Sequence, residues 1–202
     1  MLITKKQYPG ILLLVFAAGF IFMAGCRSPE PFRGTEMPAD MPVLDFTLTD
    51  QFGEPFMLSE HRGKVSLIFF GYTFCPDVCP TTLATWRRVE EVLGEDAKNV
   101  NFIYITVDPQ RDTQQKLKNH LSVFSDDFIG LTGSEEALTA VYNEFGIYRE
   151  VQELADSGAG YLVNHTSRVF GLDRQGKWRL GIDFNAPAED IAHDVRLLLA
   201  GN

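Results

Sequence analysis

Two largely apolar runs stand out along the chain, Val65–Phe70 (VSLIFF) and Val100–Val107 (VNFIYITV). Runs of this length without alternation predict strands covered on both faces. Leu44–Leu48 (LDFTL) alternates instead, TDQFG turns after it, and Pro55–Leu58 returns, which predicts a hairpin ahead of the first buried strand. Helical periodicity takes over at Thr81–Leu93 (TTLATWRRVEEVL), and Gly94 ends it. Asp112 is expected to cap a helix running to about His120, and Ser134 another running to about Phe145. Thr166–Leu172 and Trp178–Ile182 flank the turn-rich DRQGK as a second hairpin, and Ala188–Ala200 is a final amphipathic helix.

Strands that alternate with helices, closed by a hairpin and a last helix, predict an α/β domain. A buried strand, a cysteine-bearing turn and then a helix is the thioredoxin-like arrangement. The expected fold is therefore a central mixed β-sheet flanked by helices, with an N-terminal β-hairpin extension. Ligand chemistry in such sheets gathers at the carboxyl ends of the strands. Cys75 and Cys79 follow one such end and Asp108 follows another.

The 202 residues are 45% hydrophobic, enough for one domain with a sizeable core. Lys5 and Lys6 precede an apolar stretch, Ile11–Met23, whose 13 residues suit the hydrophobic part of an export signal better than a spanning helix of about 20. It ends in Met23-Ala24-Gly25-Cys26, which resembles the lipobox of bacterial lipoproteins, where the cysteine is lipidated and becomes the N-terminus. Met23 departs from the usual Leu, so an uncleaved anchor is the alternative. Either way the expected location is the extracytoplasmic side of a bacterial cell membrane, with residues 1–25 a signal peptide. Residues 26–42 are the lipidated Cys26 and a proline-rich extended linker, and 43–202 the folded domain. A net charge of −9, with no basic cluster after the N-terminus, argues against nucleic acid.

If Cys26 is consumed by lipid, Cys75 and Cys79 are the remaining pair, expected to be disulfide-bonded or metal-bound outside the cytoplasm. Each precedes a proline, which disfavours the α region, so Cys79 is expected as helix N-cap with Pro80 in the first helical position. A helix N-terminus favours thiolate, here at Cys79. Thiolate serves both disulfide exchange and metal binding. A purely structural disulfide is weakly motivated, because so short a loop gains little from cross-linking.

A third ligand separates the alternatives. His61, His120 and His193 sit where surface or helix-end histidines sit, whereas His165, in YLVNHTS, leads into the second hairpin, which this fold packs against the cysteine turn. Two thiolates and one imidazole suit copper(I) and adapt to copper(II), while structural zinc wants a fourth protein ligand. Asp77 and Asp108 are candidate carboxylates to orient His165 or tune the site, with turn-capping as the competing role for Asp77.

Together GYTFCPDVCP, VDPQRDT (Val107–Thr113) and YLVNHTS (Tyr161–Ser167) resemble the Sco/SenC family over about Val43–Ala200. The resemblance implies a thioredoxin-like copper chaperone that holds one copper ion, Cu(I) or Cu(II), on Cys75, Cys79 and His165. It implies delivery of that ion to the copper A centre of a cytochrome c oxidase subunit, with a thiol reductant protein as a further partner. Some members have Thr-His before the first cysteine where this chain has Thr73-Phe74, which removes an accessory ligand only. The alternative function is thiol–disulfide oxidoreduction, with Cys75 and Cys79 as a redox-active pair on the oxidase subunit or other exported proteins. A peroxiredoxin-like peroxidase shares DFTLTDQFG but needs a threonine where Tyr72 stands.

Overall fold

The computed structural model describes residues 30–38, 41–154 and 160–201. The expectations for the signal peptide, for Cys26 and for its lipidation lie outside these residues. Among the described residues no helix is long and apolar enough to cross a membrane.

Among the described residues ten strands and four longer helices follow one another in the order β1 (Thr35–Glu36), β2 (Thr47–Asp50), β3 (Pro55–Met57), β4 (Val65–Gly71), α1 (Val78–Leu93), β5 (Val100–Thr106), α2 (Gln114–Leu121), β6 (Ile129–Thr132), α3 (Glu135–Glu144), β7 (Arg149–Glu153), β8 (Tyr161–His165), β9 (Arg168–Leu172), β10 (Trp178–Asp183) and α4 (Ala188–Ala200). Eight strands form one mixed sheet in the order β1-β10-β9-β4-β5-β6-β2-β3, and β7 pairs with β8 in a separate two-stranded sheet. This is the thioredoxin-like α/β fold, with the expected β2–β3 hairpin at one edge of the sheet.

The two apolar runs became the centre. Strands β4 and β5 pair in parallel, Val65 opposite Val100 through Gly71 opposite Thr106, and every residue of both is buried. Being covered on both faces is why they show no alternation. Helix α1 turns Cys79, Leu83, Trp86, Val89 and Leu93 inward, one residue per turn, and ends where Gly94 takes φ 58°, a conformation that suits glycine.

Three local expectations are corrected. Residues 26–42 are not extended linker throughout: Phe32 packs on the core, Thr35 and Glu36 pair with Gly181 and Leu180, and the Arg33 and Gly34 amides donate to buried Asp194. The folded unit therefore begins near Phe32 rather than at 43. Asp112 is not the cap of α2; Thr113 is, its Oγ1 accepting from the Lys116 amide. Two hydrogen-bonding residues stood side by side, and the tertiary demand for a buried acceptor took Asp112. Helix α1 begins at Val78 after Asp77, so Cys79 lies within its first turn rather than at the cap. Pro80 is tolerated there because the first amides of a helix have no internal partner to lose. Full burial of Cys79 overrides the preference against helix before proline. Ser134 does cap α3, its Oγ accepting from the Ala137 amide.

Candidate functional site

Strand β4 ends at Gly71, and residues 72–77 fold over the carboxyl ends of β4 and β5 before α1 departs. Asp112 pins this loop. It is fully buried and accepts hydrogen bonds from the Thr73 amide (3.0 Å), the Thr73 hydroxyl (2.6 Å) and the Thr106 hydroxyl (2.7 Å). Burial still pushes its carboxyl above the usual range, although all three donors oppose the shift. Thr73 precedes Cys75 by two residues, so the first cysteine is held to β5 through one carboxylate.

The two sulfurs are free and differ sharply in environment. Cys75 is partly exposed, whereas Cys79 is fully buried. The Cys79 amide donates to the Cys75 sulfur at 3.4 Å. The Cys79 thiol and the Asp77 amide also donate to that sulfur, and together these donors bring Cys75 down from 9.0 to about 5. Cys79, acting as donor to Cys75 and buried besides, is pushed far up. The expectation of a thiolate at Cys79 is thus reversed. The free amides of the helix start point at Cys75, which reaches back over them as a capping acceptor would.

His165 closes the site from the last residue of β8. Its Nε2 lies 3.9 Å from the Cys79 sulfur, and its Nδ1 lies 2.9 Å from the Thr166 carbonyl oxygen. That carbonyl accepts only from a protonated Nδ1, so the Nε2 lone pair faces the sulfur. Burial lowers the pKa of His165, keeping the ring neutral at pH 7. Phe69 and Tyr72 present their rings to it at 6.2 and 5.9 Å in edge-on packing. The chain separates Cys79 from His165 by 86 positions, and the fold brings them together.

Neither candidate carboxylate orients His165; the Thr166 carbonyl does. Asp77 precedes α1 with no side-chain cap bond and contributes its amide instead. Asp108 is buried in an ion pair with Arg111 and accepts from the Tyr161 hydroxyl at 2.8 Å. Arg111 also donates to the Tyr161 carbonyl at 3.0 Å, and its guanidinium stacks 3.6 Å from the Tyr161 ring centre and 4.7 Å from that of Phe74. One arginine therefore touches both the cysteine loop and the strand that carries His165. Sequence reasoning missed Asp112, Arg111 and Thr73. The one visible signal for Arg111 and Asp112 is VDPQRDT, polar residues set directly after a buried strand, whereas Thr73 stands inside GYTFCPDVCP.

His61 stacks on Phe56 with ring centres 4.0 Å apart, His120 lies against Tyr104 and Phe124, and His193 bonds Asp194, so each of the three is engaged in packing or hydrogen bonding of its own.

An ion held by a thiolate at about 2.3 Å and an imidazole at about 2.0 Å, opened to roughly 120°, separates sulfur and nitrogen by about 3.7 Å. The gap between Cys79 and His165 is of that size. Among the described residues no three Cys, His, Asp or Glu side chains are gathered so that they could hold a metal ion.

Comparison with known proteins shows the family of the chain. The SCO1/SenC family model matches residues 36–200. A SCO2-like protein of Rickettsia felis is 36% identical over 172 residues, 83% of this chain and 84% of that protein. ScoI of Bradyrhizobium japonicum, solved with copper bound, superposes with a TM-score of 0.71 at 37% identity, covering 77% of this chain and 98% of that one. A SCO1/SenC family lipoprotein from Bacillus anthracis has a TM-score of 0.69 at 27% identity, covering 83% and 99%. With the family's pattern matched from β1 to the end of α4, the chain belongs to the SCO1/SenC family.

Proposed function

We propose that this protein is a membrane-tethered extracytoplasmic copper carrier that holds one copper ion on Cys75, Cys79 and His165. Its recipient is the copper A centre of cytochrome c oxidase during assembly. The observation that carries this reading is the 3.9 Å approach of His165 Nε2 to the Cys79 sulfur, with Nδ1 engaged by the Thr166 carbonyl. A neutral imidazole with its lone pair turned toward a sulfur is set up to ligate, and a thiolate-prone Cys75 beside it supplies a soft anionic donor. Copper is the ion that a two-sulfur, one-nitrogen set suits, and copper is bound in the B. japonicum relative. Cys26 as lipid anchor and residues 1–25 as signal peptide complete the proposal, in keeping with the lipoprotein relative.

Titration of the reduced domain with copper(I) against a competing chelator tests it. Wild type is expected to take up one equivalent, and His165→Ala is expected to bind at least about a hundredfold more weakly. Equal affinity in the two proteins would remove the proposal.

The separation of the two sulfurs into a ready thiolate and a buried thiol favours a second reading, disulfide exchange. The Cys75 thiolate would attack a disulfide sulfur of an exported protein, and Cys79 would resolve the mixed disulfide, leaving the partner reduced and the pair oxidised. This activity survives His165→Ala and is lost in Cys75→Ser. A thiol reductant protein is then needed to return the pair to the dithiol.

A further inference from the structure

Of the two sulfurs only that of Cys75 is in reach of solvent, so a protein that takes an ion from this site arrives at Cys75. Phe74, its neighbour in the chain, is 45% exposed and falls within any such contact. An exposed phenyl ring beside the point of reaction is the kind of anchor on which protein interfaces are centred. Two cations frame it. The Arg111 guanidinium lies 4.7 Å and the Lys116 ammonium 4.9 Å from the centre of the ring. The pattern recurs further along α2, where the Lys118 ammonium lies 4.9 Å from the centre of Phe52, a ring 61% exposed. Leu117 between the two lysines is wholly buried, and at about 100° per residue they leave the helix on opposite flanks.

The chain as a whole carries a net charge of −9. Residues 110–125 nevertheless hold Arg111, Lys116 and Lys118 against a single carboxylate, Asp112, which is fully buried. The outward side of α2 is thus cationic on an acidic molecule, and Asp77 is the one carboxylate of the cysteine loop beside it. An acidic partner is repelled by the molecule at large and attracted here, so field and anchor direct it to the same spot. An anionic membrane is a poorer match, since recognition of that kind takes a cluster of roughly four to eight basic residues. A second copy in a symmetric pair would set this cationic face against itself. We infer that the face formed by Phe74, Lys116 and Lys118 is the docking surface for the protein that receives the ion, and that this recipient presents carboxylates around an apolar seat for Phe74. The recipient is the one named by the copper-carrier reading, on which this rests; its landing place and its chemistry are new.

The full chain in phosphatidylcholine vesicles, reduced and loaded with copper(I), is mixed with the reduced, metal-free copper A domain of the oxidase subunit from the same organism. Copper(I) passes from one set of thiolates to the other with no electron moved, and stopped flow follows it. Lys116→Glu is expected to slow transfer about tenfold at low salt, and Lys118→Glu about threefold. Both deficits are expected to close near 1 M salt, where screening acts within about 3 Å. Lys98→Glu makes the same change of charge on a side chain 74% exposed, ahead of the amino end of β5 and away from the sulfurs, and is expected to leave the rate unchanged. Phe74→Ala is expected to slow transfer about tenfold at every salt concentration. Copper affinity is expected to be the same in wild type and in the three lysine variants, which separates docking from holding. Equal rates in wild type and Lys116→Glu, or an equal loss in Lys98→Glu, would overturn the inference. So would Lys116 shielded from acetylation in phosphatidylglycerol vesicles with transfer unchanged, which gives the face to lipid, or a dimer lost in Lys116→Glu, which gives it to a second copy. Should the wild type take up no copper, the carrier reading fails by itself. Docking is then read from the salt-dependent binding of the metal-free chain to the same domain: the same order of variants upholds the face, and no binding or no order removes it.

Discussion

The cysteine loop and the histidine strand face each other across the site but are built on different foundations. The loop grows out of β4, whose residues are all buried, and is fastened to β5 by a carboxylate with no solvent exposure. His165 sits at the end of a two-stranded sheet that pairs with no strand of the main one, and four of the five residues of β7 are exposed. What holds that arm is side-chain reach. Arg111 grips the Tyr161 carbonyl and ring, and Arg149 donates to the Val107 carbonyl and pairs with Glu135 at 3.5 Å. Backbone ladders in a buried sheet open only with the whole domain, whereas a small exposed hairpin belongs to the low-stability end of the molecule. Under the proposed function the difference teaches how an ion is held and still released, with both sulfurs carried by the rigid half and the imidazole by the movable one.

Breaking the rigid half should have the largest effect. Asp112→Ala leaves the Thr73 amide and hydroxyl and the Thr106 hydroxyl without their buried acceptor. The expected loss is about 3 kcal/mol, a fall of roughly 6–12 °C in melting temperature for a domain of this size. Thermal unfolding followed by circular dichroism measures it. A Tm within a degree of wild type would mean that the loop is not fastened there.

Loosening the movable half should act on binding more than on stability. Arg111→Lys keeps a cation for Asp108 but gives up the planar fork and the stack on Tyr161. Copper(I) competition is expected to show about tenfold weaker binding with little change in Tm. If affinity is unchanged, the arm is positioned by something other than this arginine.

The two sulfurs sharpen the contrast further. Cys75, brought down to about 5, is expected to be alkylated by iodoacetamide at a rate that rises through pH 5 and is flat above it, while buried Cys79 stays unmodified. The sign for stability follows. The folded-state value is depressed, so the stabilisation is complete above the thiol's ordinary value of 9.0 and is lost as the pH falls through about 5. A midpoint near 9, or equal labelling of both cysteines by mass spectrometry, would contradict the assignment.

Much of this was legible in the chain. VSLIFF and VNFIYITV announced the central strands because burial on both faces leaves no apolar–polar alternation, and the spacing of Leu83, Trp86 and Val89 announced α1. His165 was found because the strand it precedes had a visible pattern. β7 and β8 were not, since a short, half-exposed two-stranded arm has little periodicity to read. The polarity of the cysteine pair was also missed. Proline rules place a helix start within a residue or so, and here one residue decided which sulfur received the free amides. Asp112 shows the remaining gap. Next to Thr113 it reads as a cap, and only the tertiary fold reveals that the loop above needed it as an acceptor.

The most direct test of the central claim is X-ray absorption at the copper edge of the reduced protein loaded with one equivalent of copper(I). Two sulfur neighbours and one imidazole nitrogen are expected in wild type, and the nitrogen should vanish in His165→Ala while both sulfurs remain. A spectrum identical in the two proteins would show that His165 is no ligand, and the copper-carrier account would be wrong.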